Sequence, residues 1–133
     1  VMQELLESDG HQVLVRKVIP DSRTVLRVTV RELIRDKNIH AIITTGGTGL
    51  APQDITIETI RGMLDKVLPG FNSMFMLLSY PKVKSAAMLS RALAGTIKGK
   101  IIFCLPGSPR ACQLAMESLI LPEISHILML LRS

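Results

Sequence analysis

Two short apolar runs, each closed by a glycine turn and each leading into a helical pattern, limit most strongly how this chain can fold. The first is HAIITT, which ends at Gly46-Gly47-Thr48-Gly49. The second, Ile101 to Leu105, ends at Pro106-Gly107. A half-exposed strand alternates apolar and polar positions, whereas an unbroken apolar run stopped by glycine marks a strand covered on both faces. The remaining patterns fit around these two. VMQELLES carries Met2, Leu5 and Leu6 at helical spacing and stops at Asp9-Gly10. HQVLVRKVI reads as another strand, with Val13, Val15 and Ile19 prominent. A helix follows from Ser22 to about Lys37, with Val25, Val28, Thr29 and Leu33 on one side, and a third from Thr56 to Leu68, stopped by Pro69-Gly70. The order α-β-α-β-α implies a parallel sheet with right-handed crossovers.

In the second half, FNSMFMLLSY and SAAMLS read as short helices or irregular apolar segments. Gly95 and Gly99 bracket a tight connection, which makes the strand before it antiparallel to Ile101–Leu105. SPRACQLAMESLI is a helix with Ser108 as its cap and Pro109 at its first position, and LPEISHILMLL a further helix beyond the break at Pro122. The expectation is one domain over residues 1–133, a three-layer α/β/α sandwich whose sheet is mostly parallel with one antiparallel strand. Doubly wound domains usually begin with a central strand, while this chain opens in a helix, so an N-terminal strand is expected to be missing from the numbered chain.

Composition narrows the class of function. Hydrophobic residues make up 47 % of the chain, with one tyrosine, three phenylalanines and no tryptophan, so the core is aliphatic. The net charge of +5 suits an anionic partner. Its basic residues are scattered and aromatics are scarce, which argues against a nucleic-acid platform and leaves a phosphate-bearing small molecule. Charges and glycines break the apolar tracts, so no membrane span is expected, and the acidic N-terminal residues do not form a signal peptide. Cys104 and Cys112 read as buried free thiols in a reducing cytoplasm. His11, His40 and His126 are isolated, and Met74, Met76 and Met88 suit a core.

Glycine at 46, 47 and 49 lets the backbone take positive φ angles and lets a ligand come close, so that successive N–H groups can cradle an anion. GGTG alone equally suits a plain tight turn; it is neither the dinucleotide fingerprint nor a P-loop. LPGSPRA also follows a strand and opens a helix, as an ordinary helix start or as a second anion site. If the strands at 41–45 and 101–105 are parallel, both turns share the carboxyl edge of the sheet, where open α/β sheets bind ligands. Asp54 is then a puzzle, because a carboxylate beside a phosphate is repelled unless a cation lies between them or it handles a proton. Asp21 also follows a strand-like run. Either aspartate could be a helix cap; together at a phosphate-lined edge they suggest Mg²⁺ bridging carboxylate and phosphate oxygens.

In order and spacing, TTGGTGLAPQDIT, PGF…LLSY, AAMLSRALAGTIKGK and LPGSPRACQ…ILPEISHIL resemble the MoaB/MogA-type molybdopterin adenylyltransferases, which include the G domain of gephyrin. The likeness runs from about Leu5 to Leu131. It implies a three-layer α/β fold, a cytoplasmic homotrimer, and use of Mg²⁺ and ATP to adenylylate the terminal phosphate of molybdopterin with release of pyrophosphate. By the same resemblance Asp21 and Asp54 match the two functional aspartates, catalytic and metal-holding. Thr45, Gly46, Gly47, Thr48 and Gly49 match the substrate loop, Gly107 and Ser108 the second loop, and Ser79 and Ser90 serines linked to pterin binding.

Some residues depart from the family pattern. Its first strand, with an SD-type loop, has no counterpart, and Ile57 replaces the usual proline after Thr56. Many bacterial members read GFGExFR where this chain has GFNSMFM, so Ser73 and Met76 stand for a Glu and an Arg. A catalytically silent homologue that binds molybdopterin or a nucleotide is the alternative. A module of a molybdopterin molybdotransferase or of a competence/damage-inducible hydrolase is a third reading, against which TGGTG…PQDIT with PGSP speaks.

Overall fold

The computed structural model describes residues 2–133. Four strands, β1 (Ala41–Thr45), β2 (Lys66–Val67), β3 (Leu93–Ile97) and β4 (Lys100–Leu105), form one sheet in the order β1-β4-β3-β2. β1 and β4 are parallel, in register from Ala41↔Ile101 to Thr45↔Leu105. β3 runs antiparallel to both of its neighbours. Three strands therefore point one way and β3 the other, as the sequence implies.

Helices cover both faces: α1 (Met2–Ser8), α2 (Arg23–Arg35), α3 (Thr56–Arg61), α4 (Pro69–Val83) with a 3-10 turn at Lys84–Leu89, then α5 (Pro109–Ala115), a π turn (Met116–Ile120) and α6 (Leu121–Leu131). The sheet is buried on both sides because β4 supplies apolar side chains to each. Ile101, Phe103 and Leu105 pack with Phe71, Phe75, Met116 and Ile120. Ile102 and Cys104 pack on the other face with Leu26, Val30, Ile57 and Ile60. Lys100, at the start of β4, is also buried, and its ammonium donates to the carbonyls of Asp36 (2.8 Å) and Ile39. A buried cation is tolerable only with such partners. This contact anchors the C-terminal end of α2 at the amino edge of the sheet. At ~1.5 Å per residue, the 13-residue helix spans roughly 20 Å and brings Ser22 back to the carboxyl edge.

Several expectations need correction. Residues 11–19 form no strand. Val18, Leu14 and Val15 are exposed, and among the described residues no row of backbone groups pairs with this segment. β propensity cannot substitute for a ladder partner. α2 buries Leu26 and Val30 and packs Leu33 and Ile34, leaving Val25 and Val28 on the exposed side. The third helix ends at Arg61, because the backbone at 65 and 68 bonds instead to Thr96 and Ala94 of β3 and makes β2 an edge strand. Pro69 then starts α4 rather than ending a helix. Gly95 lies inside β3, where a Cβ would sit 2.4 Å from the Lys66 carbonyl oxygen; the turn itself is Lys98-Gly99.

Pro122 does not break the last helix. The π turn lets the Leu121 N–H reach Met116 and takes up the proline, so one 23-residue helix runs from Pro109 to Leu131. By length and composition alone it could cross a membrane, contrary to the reading from the sequence. Its inner side, Cys112, Ala115, Met116, Ile120 and Ile124, lies in the core, and its outer side carries Arg110, Gln113, Glu117 and Glu123.

Candidate functional site

β1 and β4 end level at Thr45↔Leu105, so both glycine turns leave the sheet at the same carboxyl rim. They also touch. The Gly46 N–H donates to the Leu105 carbonyl (2.9 Å), and a Cβ on Gly107 would lie 3.5 Å from Gly46 Cα. Gly46 and Gly47 have φ of +90° and +70°, the left-handed region that side chains resist. The Gly47 carbonyl accepts the Thr56 N–H (3.0 Å), which closes the loop onto the start of α3. Among the described residues no acceptor takes the N–H groups of Gly47, Thr48, Gly49 or Leu50, or of Gly107 and Ser108. Unpaired donors on two adjoining turns are free to bind an external acceptor, and anionic oxygen is the kind that such turns suit.

The aspartates occupy different positions on this rim. Asp54 is half-buried; its Oδ2 accepts the Ala51 N–H (3.0 Å) and lies against Gly49, where a Cβ would come within 2.7 Å of it. Its other oxygen has no partner among the described residues. Asp21 is exposed and directly precedes Ser22, which is the cap of α2: the Ser22 hydroxyl accepts the Val25 N–H (3.2 Å). The run of α2 brings Asp21 to the carboxyl edge, and no hydrogen bond joins it to Asp54. No cluster of three or more His, Cys, Asp or Glu side chains occurs among the described residues. Mg²⁺ does not need one, since it is usually held by one or two carboxylates together with substrate phosphates and water. The free Asp54 oxygen beside the glycine turns fits that kind of donor set.

Thr45 ends β1 with an exposed side chain, while Thr48 is buried inside the loop. Ser108 caps α5, its hydroxyl accepting the Ala111 N–H (3.4 Å). Ser90 is half-buried at the end of the 3-10 turn, one residue before the side chain that grips the loop. Ser79, in α4, donates its hydroxyl to the Phe75 carbonyl (2.8 Å).

Arg91 and Glu58 are missing from the residues picked out by sequence. The Arg91 guanidinium donates from Nε to the Thr48 carbonyl (2.9 Å) and from Nη2 to the Gly49 carbonyl (2.8 Å). The same group forms a two-point ion pair with Glu58, Nη2 to Oε1 at 3.2 Å and Nη1 to Oε2 closer still. Hydrogen bonding to Arg91 lowers the Glu58 pKa, and Glu58, with a weaker contribution from Asp54, raises that of Arg91. One signal was legible: an arginine directly ahead of the apolar strand LAGTI needs a partner.

Two clefts lie elsewhere. One, about 320 Å³, is apolar and lies between α4 and the last helix, at Phe71, Met74, Leu119 and Ile127. The other, about 550 Å³, is lined by Ser73, Met76, Leu77, Tyr80 and Met88. Neither includes a residue of the glycine turns.

Comparison with known proteins agrees with the fold. Residues 1–126 match the family model described as "Probable molybdopterin binding domain". Molybdenum cofactor biosynthesis protein B of Bacillus cereus is 40 % identical over 128 residues, 96 % of this chain and 76 % of that protein. A crystal structure of a molybdenum cofactor biosynthesis protein B superposes with a TM-score of 0.95 at 39 % identity, covering 98 % of this chain and 82 % of the other. The tungsten cofactor synthesizing protein MoaB from Pyrococcus furiosus gives 0.90 at 36 % identity, over 99 % and 82 %.

Proposed function

The chain belongs to the molybdopterin-binding family of molybdenum cofactor biosynthesis proteins, and we propose that it catalyses the Mg²⁺- and ATP-dependent adenylylation of molybdopterin. In this reaction the terminal phosphate oxygen of molybdopterin attacks the α-phosphorus of ATP. The bond to the bridging oxygen of the β-phosphate breaks, and pyrophosphate leaves with that electron pair. The observation that carries the reading is the pair of touching glycine turns: among the described residues, the N–H groups of residues 47–50 and of Gly107 and Ser108 have no acceptor.

In this proposal the N–H groups of residues 47–50 and of Gly107 and Ser108 hold phosphate oxygens and keep the reacting groups aligned. Thr45 and Ser108 add hydroxyls at the rim, and Ser79 and Ser90 serve the pterin side. Asp54 and Asp21 hold the metal. When bound, Mg²⁺ supplies neutralisation of the phosphate charge that builds up during transfer. We further propose a homotrimer working in the cytoplasm, a compartment that suits the free thiols of Cys104 and Cys112.

One observation favours a silent binder. The Ser73 hydroxyl donates to the Pro69 carbonyl and the Met76 sulfur accepts from the Asn72 amide, so positions where many members carry Glu and Arg offer no charge here. Incubation with molybdopterin, MgATP and α-labelled nucleotide separates the two. Label transferred to molybdopterin, and lost in Asp54→Asn, supports the enzyme. Tight molybdopterin binding without pyrophosphate release makes it the binder.

A further inference from the structure

We propose that Arg91 is a positioning residue that aims the anion-binding N–H groups of the glycine loop, with Glu58 as the brace that keeps it there; this rests on the anion-binding reading of the rim. The argument starts from the peptide bond. In a trans unit the carbonyl of one residue and the N–H of the next point in opposite directions, and this chain has no cis peptide bonds among the described residues. Arg91 draws the carbonyls of Thr48 and Gly49 toward its guanidinium. The N–H groups of Gly49 and Leu50 must therefore point away from it. Both belong to the unpaired set.

A loop with glycines at 46, 47 and 49 has no intrinsic preference strong enough to hold that direction. Rotation of either peptide plane would turn a carbonyl, the wrong sign, toward the ligand. The guanidinium prevents this because its planar fork of donors can grip two carbonyls and a carboxylate together. Glu58 takes two of the three remaining donors and neutralises the cation, so Arg91 is held at the back of the loop rather than drawn to the anion. A lysine would keep the charge and lose the fork.

The test uses the ¹⁵N-labelled protein, with the backbone amides of residues 47–50 followed by NMR while pyrophosphate is added. The Arg91→Lys variant should unfold in urea close to wild type. Its Gly49 and Leu50 amide resonances should nevertheless move before any ligand is present, and its pyrophosphate affinity should fall by about tenfold. Glu58→Gln should displace the same two free-state resonances, which gives the same reading if the lysine variant does not fold. Free-state amides unmoved in both variants, or Arg91→Lys binding pyrophosphate as wild type does, would overturn the proposal while leaving the anion-binding reading standing. A wild-type protein whose 47–50 amides ignore pyrophosphate would sink that reading and this inference together.

Discussion

Replacing Gly47 with alanine tests how the glycine loop is held, and its cost can be worked from two separate causes. The first is conformational: φ is +70°, and a side chain in that region costs about 1–2 kcal/mol. The second is contact. An ideal Cβ there would lie 2.2 Å from Thr56 Oγ1 and 3.2 Å from Thr56 Cβ, and Thr56 is buried at the start of α3. Overpacking of this kind adds about 1–3 kcal/mol, for a combined loss of roughly 2–5 kcal/mol. Gly46 is the internal control. Its φ is +90° but nothing lies within 4 Å of a Cβ, so Gly46→Ala should show only the first cost. Urea denaturation of both variants, and of Gly47→Ala combined with Thr56→Ala, separates the contributions. Removing Oγ1 should return part of the lost stability as a coupling of about 1–3 kcal/mol. If Gly47→Ala is no less stable than Gly46→Ala, or if the Thr56 change brings nothing back, Thr56 does not pack on the loop as described.

The ion pair and the thiols offer further checks. Arg91 holds the Glu58 pKa below its usual 4.5, so the pair stabilises the fold fully above the unfolded value and loses that contribution as pH falls through the folded one. The stability gap between wild type and Glu58→Gln, measured by urea midpoints, should therefore close on acidification below about 4.5; a gap independent of pH argues against the pair. Burial pushes the Cys104 thiol up to about 11 and raises Cys112 as well. A thiol reagent at about pH 8 should label neither until denaturant is added, because the thiolate is the reactive form. Rapid labelling of Cys104 in the native protein would contradict its place between the sheet and α2.

What could be read in advance was decided within a few residues of itself. The unbroken apolar runs of β1 and β4 and the Ser108 cap need only local sequence, because burial on both faces is written in the run itself and the cap bonds three residues ahead; the cap of α2, by contrast, is Ser22 and not Asp21. Local sequence also suffices for the glycines at 46 and 47 and for Asp54 returning to the loop it follows, three residues beyond its Ala51 partner.

Tertiary structure decided everything that needed a distant partner. Residues 11–19 have strand-forming side chains and no ladder, while 66–67 sit in what read as a helix and are claimed by β3. α2 offers two overlapping apolar stripes, and packing against Ile57 and Ile60 selects Leu26 and Val30 over Val25 and Val28. Arg91 reaches 43 residues back to Thr48 and 33 back to Glu58. Side-chain spacing records which backbone states a segment prefers; it carries no record of which remote carbonyl will be waiting when the sheet closes.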